Sequence, residues 1–248
     1  INIGTLGAGN RLVVTNGGRV RTFAAASNIG ANVSGSNNEV VITGPGSSWT
    51  NGVNLTVGNA GSGNRLVITN GGEFRNDSQG VILGATAQST NNRIVVDGGT
   101  LRALGSSGAL DIRRGTTVLN AGLIDTRQLL ITNELGSFEF NGGTLITRGA
   151  VISNNVAFVV GTSGTNPAVW DVRASNHFLS SHLVVGNFAS FNQLLVTNGV
   201  LLTNGMDGII GLKSGANSNL ALISGTGSRW TAVERLFDVG YGGSFNRL

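Results

Sequence analysis

The chain contains 248 residues, of which 40 are glycine, 2 are proline and none is cysteine. A hydrophobic fraction of 40% and a mean hydropathy of +0.16 exclude simple disorder, and glycine without a period of three excludes a collagen. The net charge is only +4, and the isoelectric point near 10.9 is high because Lys213 is the single lysine among the basic residues. The arginines are scattered and form no dense patch that could neutralise phosphates, so we expect no nucleic-acid partner.

From the N terminus, an asparagine followed by an apolar strand and a turn recurs along the chain. The first copy reads NRLVVTNGG from Asn10 and the third reads NRLVITNGG from Asn64. Seven asparagines open such copies: Asn10, Asn38, Asn64, Asn92, Asn192, Asn219 and Asn246. Neighbouring copies lie 26 to 28 residues apart in each half of the chain, which indicates a structural repeat of about 27 residues.

A glycine that ends an apolar segment precedes each of these asparagines. The distance from glycine to asparagine alternates between six and eight residues, as in Gly4 to Asn10 and Gly30 to Asn38. Trp49 and Trp230 both follow a glycine-rich turn in copies of the longer type. Two coils therefore form the true sequence repeat.

The pattern is weaker between Gly105 and His182, where only turn-like sequences continue it. The expected turns there and just before are Asp97-Gly-Gly, Asn120-Ala-Gly, Asn141-Gly-Gly and Asp171. Counting them gives about nine coils, and we interpret residues 1–248 as a single β-solenoid array. Since the last twelve residues resemble the first twelve, we expect a segment of a longer repeat protein or a filament subunit that stacks end to end.

Each coil is predicted to contain three short strands separated by turns. In one copy the strands are Arg65–Thr69, Glu73–Asn76 and Val81–Gly84, rich in residues that favour extended structure. Asn-Gly and Gly-Gly supply the positive φ of tight corners. Propeller blades need about 40 residues, whereas 27 suit one three-sided turn. The predicted fold is all-β, a right-handed parallel β-helix, and nine coils at about 4.8 Å would span roughly 40 Å.

Stacking of coils places equivalent residues above one another. The seven asparagines should then form a structural ladder that satisfies backbone groups at a corner. Between two inward positions, aliphatic residues occupy an outward one: Val13, Val41, Val67, Val95, Leu195 and Leu222. This stripe reflects either β-propensity or a lateral contact surface. In the second case, Val41→Lys with Val67→Lys would abolish lateral assembly without unfolding the protein.

Phrases such as LVVTNGG, LDIRRGTTVLNAG and FEFNGGTLITRGAVISNN resemble the autotransporter-associated β-strand repeats of very long bacterial surface proteins. The resemblance covers nearly the whole chain. It implies a right-handed parallel β-helix that is exported to the cell surface or the medium as one module of an adhesin-like polypeptide.

The residues that could carry chemistry form no recognisable site. The twelve acids include no local pair or cluster for hydrolysis or calcium binding, and Asp111 with Arg113, like Asp171 with Arg173, reads as a surface ion pair. His177 and His182 are predicted to be surface or turn residues without a zinc shell. No catalytic residue, cofactor or metal is therefore predicted. The three tryptophans could stack on sugars, although the matched positions of Trp49 and Trp230 favour packing.

These observations predict a non-enzymatic structural or adhesive module that acts as a rigid shaft, extracellular or on a bacterial surface. Its expected partner is another copy or further repeats. The sequence contains no run of 18 apolar residues, so no membrane-spanning helix is expected. The alternative is a β-helix that binds or cleaves polysaccharides, with cell-surface glycans as its partner. A trimeric fibre shaft is a third possibility.

Overall fold

The computed structural model describes residues 1–248 and contains strands and turns but no helix. Parallel strands stack as a β-solenoid of about nine turns with about 26 residues in each turn, so the predicted all-β solenoid is confirmed. Because the structure contains no helix, it contains none that could cross a membrane. The chain divides into two compact units, Ile1–Phe138 (the N-terminal unit) and Glu139–Leu248 (the C-terminal unit). The single array over 1–248 stays a prediction.

The N-terminal unit has three sets of parallel strands, one for each side of a coil. The first set comprises β1 (Asn2–Ile3), β4 (Ser27–Ile29), β7 (Leu55–Val57), β10 (Val81–Leu83), β12 (Ala109–Ile112) and β14 (Gln128–Ile131). The second comprises β2 (Arg11–Val14), β5 (Glu39–Thr43), β8 (Arg65–Thr69), β11 (Arg93–Ala103) and β13 (Gly115–Thr126). The third comprises β3 (Arg19–Thr22), β6 (Ser48–Asn51) and β9 (Glu73–Asn76), which pairs with the second half of β11.

The C-terminal unit is also three-sided. One set comprises β16 (Gly143–Thr147), β19 (Ala168–Val172), β22 (Gln193–Thr197) and β25 (Leu220–Ser224). A second comprises β17 (Ala150–Ile152), β20 (His177–Leu179), β23 (Leu201–Asn204) and β26 (Arg229–Ala232). The third comprises β18 (Phe158–Val160), β21 (Leu183–Val185), β24 (Gly208–Ile210) and β27 (Phe237–Val239). One further strand, β15 (Gly136–Phe140), contains the sequence boundary between the two units.

The parallel register places residues about one period apart beside each other. Val13 pairs with Val41, Val41 with Val67, and Val67 with Val95. We call such a row of equivalent residues along the stack a file. Because strands in neighbouring coils lie about 4.8 Å apart, every file repeats the same chemistry at that spacing.

The core consists of inward files of aliphatic and aromatic side chains. Val40, Leu66 and Ile94 form one fully buried file of the N-terminal unit. Trp49 and Phe74 are neighbours in another, with ring centroids 5.2 Å apart in an edge-to-face arrangement. Such contacts add about 0.5–1.5 kcal/mol beyond the burial of apolar area. The alternation of buried and outward residues along β5 and β8 is the reason that the sequence pattern has a period of two within each strand.

Three of the predicted turns lie inside strands. Asp97 and Asn120 fall within β11 and β13, where shifts of register show a β-bulge instead of a strand break. Asp171 lies in the middle of β19 and pairs with Leu195. The turns predicted at these positions are therefore wrong, because the bend is made within a continuous strand or, at Asp171, because the polar residue is an outward member of a strand.

Candidate functional site

The asparagines of the N-terminal unit form a hydrogen-bonded row at one corner. The Nδ2 of Asn10 donates to Oδ1 of Asn38 at 2.9 Å, and the Nδ2 of Asn38 donates to Oδ1 of Asn64 at 3.0 Å. The backbone N–H of Asn64 donates to Oδ1 of Asn92 at 2.8 Å, while its side-chain amide turns to the carbonyl of Ser62. Asn38, Asn64 and Asn92 are fully buried. Asn38, Asn64 and Asn92 thus each accept a hydrogen bond from a backbone N–H of the preceding coil that would otherwise lack an acceptor.

The C-terminal unit repeats this arrangement. The Nδ2 of Asn192 donates to Oδ1 of Asn219 at 2.8 Å, and the Nδ2 of Asn219 donates to Oδ1 of Asn246 at 2.9 Å. The backbone N–H groups of Ala168, Asn192 and Asn219 each donate to the next asparagine oxygen at 2.9 Å. The backbone bonds and the side-chain bonds together fix neighbouring coils at the corner.

In five of the seven copies, the glycine that precedes the asparagine makes room for the asparagine of the following coil: Gly4, Gly30, Gly58, Gly186 and Gly211. A Cβ placed on Gly30 would overlap with the amide of Asn64, and one on Gly186 would overlap with the amide of Asn219. Both glycines also have φ near +80°, a region that other residues rarely adopt. The recurrent glycine and the recurrent asparagine are therefore the two partners of one contact between neighbouring coils.

The outward aliphatic stripe is exposed to different degrees along its length. Its members are Val13, Val41, Val67, Val95, Leu195 and Leu222. The exposed fraction is 43% for both Val13 and Leu222 but 9% for Val95, and the other three are half-buried. In the N-terminal unit Val13, Val41, Val67 and Val95 lie in one file, each directly beside the next on neighbouring strands.

The charged residues form local ion pairs on the surface. Arg11 lies 2.8 Å from Glu39 in the next coil, and Arg113 lies 2.8 Å from Asp111 on the same strand end. Arg173 donates to Asp171 in the same way. Exposed pairs of this kind contribute about 0–1 kcal/mol each.

His177 is buried in the core, so its predicted surface position is wrong. It lies in a file with Ala150 and Leu202 and is 1% exposed. One ring nitrogen lies 2.8 Å from the hydroxyl of Thr147 and the other 2.8 Å from the carbonyl of Ser175. Burial lowers the pKa of His177 to about 4, since the charged imidazolium loses its hydration. The ring is therefore a neutral, hydrogen-bonded core residue.

His182 lies at a half-buried corner, with Nδ1 3.3 Å from the carboxylate of Asp207. No group of three His, Cys, Asp or Glu residues is placed to hold a metal ion.

All three tryptophans are buried, which leaves none for stacking on a sugar. The indole N–H of Trp49 donates to the Thr22 hydroxyl, and that of Trp230 donates to Asn204 Oδ1 at 2.7 Å. Trp170 donates to the Thr147 hydroxyl that also contacts His177. The burial of Trp49 and Trp230 agrees with the prediction that these two tryptophans have a packing role.

Aromatic residues that are exposed, unlike the tryptophans, occur at a corner of the C-terminal unit. They were not predicted from the sequence. Phe188, Phe191, Tyr241 and Phe245 are all more than half exposed. The sequence contains a signal for two of them, because Ser-Phe-Asn occurs at 190–192 and again at 244–246, one double repeat apart. In the other copies the residue before the ladder asparagine is small or polar.

The surface also has two shallow grooves in the N-terminal unit, each of about 290 Å³. One is lined by Arg21, Phe23, Thr50, Arg75 and Asp77, and within it Arg75 is paired with Asp77. That carboxylate raises the pKa of Arg75 by its hydrogen bond and charge, so the guanidinium stays charged.

The chain shows no match in comparisons with family models, with curated proteins or with solved structures. The fold and the corners described above define the class, a parallel β-solenoid repeat protein.

Proposed function

We propose that the protein is a structural or adhesive β-solenoid module that acts as a rigid shaft. The observation that carries this proposal is the asparagine ladder, because its hydrogen bonds join one coil to the next independently of the aliphatic core. A stack with a largely apolar core and a second set of hydrogen bonds at the corner resists both bending and slippage between coils.

We also propose a location for the protein outside the cytoplasm. Repeats that resemble those of autotransporter-associated surface proteins favour an exported protein, extracellular or on a bacterial cell surface. In this setting, length and stiffness are the function, and the outward residues are free to diverge.

The shaft is proposed to lengthen by stacking further coils or further copies. Coil stacking buries inward residues: Val57 and Val185, each with a neighbouring coil on both sides, are fully buried. Sedimentation velocity over a range of concentrations tests the contact between copies. A species that grows with concentration supports it, and a monomer at every concentration contradicts it for separate copies.

Pulling the chain from its two ends by single-molecule force spectroscopy tests the shaft directly. We expect coils to detach in steps that are multiples of one turn, about 90 Å of extended chain for the 26 residues in a turn. Asn219→Leu should lower the force for the C-terminal unit, since it leaves two donors of Asn192 without an acceptor. Extension at low force without steps would contradict a rigid shaft.

A polysaccharide-cleaving enzyme is the alternative, and its chemistry can be measured separately. Incubation with acidic and neutral polysaccharides should release no reducing ends and no unsaturated products. If the purified protein released such products, and substitution of a single carboxylate abolished the release, the protein would be an enzyme and the proposal of a structural shaft would be wrong.

A further inference from the structure

The residue before each ladder asparagine adopts positive φ wherever the ladder is formed. The seven residues at this position are Gly9, Asn37, Gly63, Asn91, Phe191, Ser218 and Phe245, with φ between 54° and 69°. Glycine and asparagine tolerate this conformation, whereas a bulky side chain there is a genuine outlier. The backbone therefore disfavours phenylalanine at both of its positions.

Packing within the protein does not offset this strain. Phe191 has a neighbouring coil on both sides and is still 62% exposed, so its ring does not contribute the burial that favours an aromatic residue within a fold. Phe245 occupies the equivalent position one double repeat later. A strained conformation maintained without a benefit to the fold is a sign of function at that residue. The benefit of these two rings must then come from a molecule outside the protein.

The backbone positions of Phe191 and Phe245 are held at a fixed spacing by the stacked coils. The N–H of Phe191 donates to the carbonyl of Asn217 and the N–H of Ser218 donates to that of Ser244, so Phe191, Ser218 and Phe245 form one file. Phe191 and Phe245 are thus two strand spacings apart, about 9.6 Å. The ladder asparagines that follow them are held by hydrogen bonds of 2.8–2.9 Å. A site held in this way loses little entropy when it binds.

We propose that this corner of the C-terminal unit binds a β-1,4-linked polysaccharide, with Phe191 and Phe245 stacking on alternate sugar rings. Successive sugar rings of such a chain face opposite ways, so the same ring face recurs once per disaccharide. The length of one disaccharide is close to the separation of the two phenylalanines. Ser218 lies between them at the level of the intervening sugar, where a hydroxyl can exchange hydrogen bonds. Phe188 and Tyr241 extend the same corner.

The arrangement favours a sugar chain over a protein partner. A large contiguous apolar patch is the usual mark of a surface that binds another protein, whereas here a half-buried serine separates the two rings. The site depends on the stacked coils and not on the proposed role as a shaft, so either proposal can fail alone.

Retention of the protein on cellulose and chitin tests the site, with granular starch as a curved α-linked control. The decisive variant combines Phe191→Asn with Phe245→Gly, the residue types at this position in the N-terminal unit. We expect wild type to bind cellulose or chitin more strongly than starch. The variant should weaken that binding about tenfold or more, the change produced by 1.4 kcal/mol. Its melting temperature should not fall, because the replacements relieve strain.

Phe178→Thr is the matched control, since Phe178 is an exposed phenylalanine on the flat face of β20 and pairs with Thr203. This variant should bind as wild type does. Absence of wild-type binding to both β-linked polymers, equal binding to starch, undiminished binding by the double variant, or an equal loss in Phe178→Thr would each overturn the proposal. Binding to a second protein in place of the polymers, with the same dependence on Phe191 and Phe245, would assign the corner to a protein partner.

Discussion

At the scale of single residues, the corner of each coil depends on a pairing of glycine with asparagine. Gly186 has no room for a Cβ because the amide of Asn219 lies against it, and its φ is +81°. Gly215 has a similar φ of +90°, but a Cβ there would meet nothing within 4 Å. The two glycines therefore separate the cost of conformation from the cost of a clash.

Gly186→Ala should lower the free energy of unfolding by about 2–5 kcal/mol, the sum of a left-handed conformation and overpacking. Gly215→Ala, the control, should cost only about 1–2 kcal/mol. Urea unfolding followed by circular dichroism measures both. Adding Asn219→Ala to Gly186→Ala should produce less than the sum of the single changes, because the two residues share one contact. Equal effects of the two glycine variants would contradict the clash.

His177 should make stability depend on pH. Its folded pKa is about 4, below the value of about 6.5 for an exposed histidine. Stability is therefore complete above pH 6.5 and decreases as the pH falls towards 4, because only the unfolded state binds the proton readily in that window. The total loss is about 3 kcal/mol.

The variant His177→Leu, which copies Leu202 of the same file, should flatten this dependence between pH 6.5 and 4. Unfolding by denaturant at a series of pH values measures the effect, and an unchanged slope in His177→Leu would show that other groups cause it.

At the scale of the element, a strand position is defined by its file and by its coil. Val13 and Val95 occupy the same outward file, yet Val13 is largely exposed and Val95 is buried. A charge at the two sites should therefore have different consequences, although the sequence pattern makes them equivalent.

We expect Val95→Lys to lower the free energy of unfolding by about 2–4 kcal/mol, because it buries an ammonium group without a partner. Val13→Lys should change it by no more than about 0.5 kcal/mol. Thermal and chemical unfolding compare the two variants. A similar large loss in both would mean that the whole stripe is covered, as in lateral assembly, and light scattering would then reveal a smaller particle for Val13→Lys.

The strands and their order could be predicted from the sequence wherever the repeat is regular, because stacking requires the same residue type in each coil. The prediction was wrong where one physical requirement could be met in two ways. At Asp97 and Asn120 a glycine-rich bulge bends a continuous strand, and a turn would have the same composition. At His177 the ring nitrogens find partners within the core, which composition alone does not indicate. The aromatic corner was not predicted because the repeated Ser-Phe-Asn is unusual only once the backbone before each ladder asparagine is known to have positive φ.

At the scale of the whole molecule, stability should be additive over coils, since each strand pairs with those one period away. Removal of Glu39–Asn64, one complete coil, joins Asn38 to Arg65 and preserves every file. We expect this variant to fold with a melting temperature within a few degrees of wild type. The half-coil deletion Glu39–Asn51 places core residues out of register and should abolish cooperative unfolding. Circular dichroism melting compares them, and equal damage by both deletions would contradict additivity.

The corner between glycine and asparagine has one more consequence. Asn10 lies six positions after Gly4 and Asn38 lies eight positions after Gly30, yet both asparagines enter the same hydrogen-bonded row. Connector length at this edge is thus decoupled from alignment of the layers. The edge is accordingly a natural place to graft foreign peptides, such as epitopes or affinity tags, in a regularly spaced display.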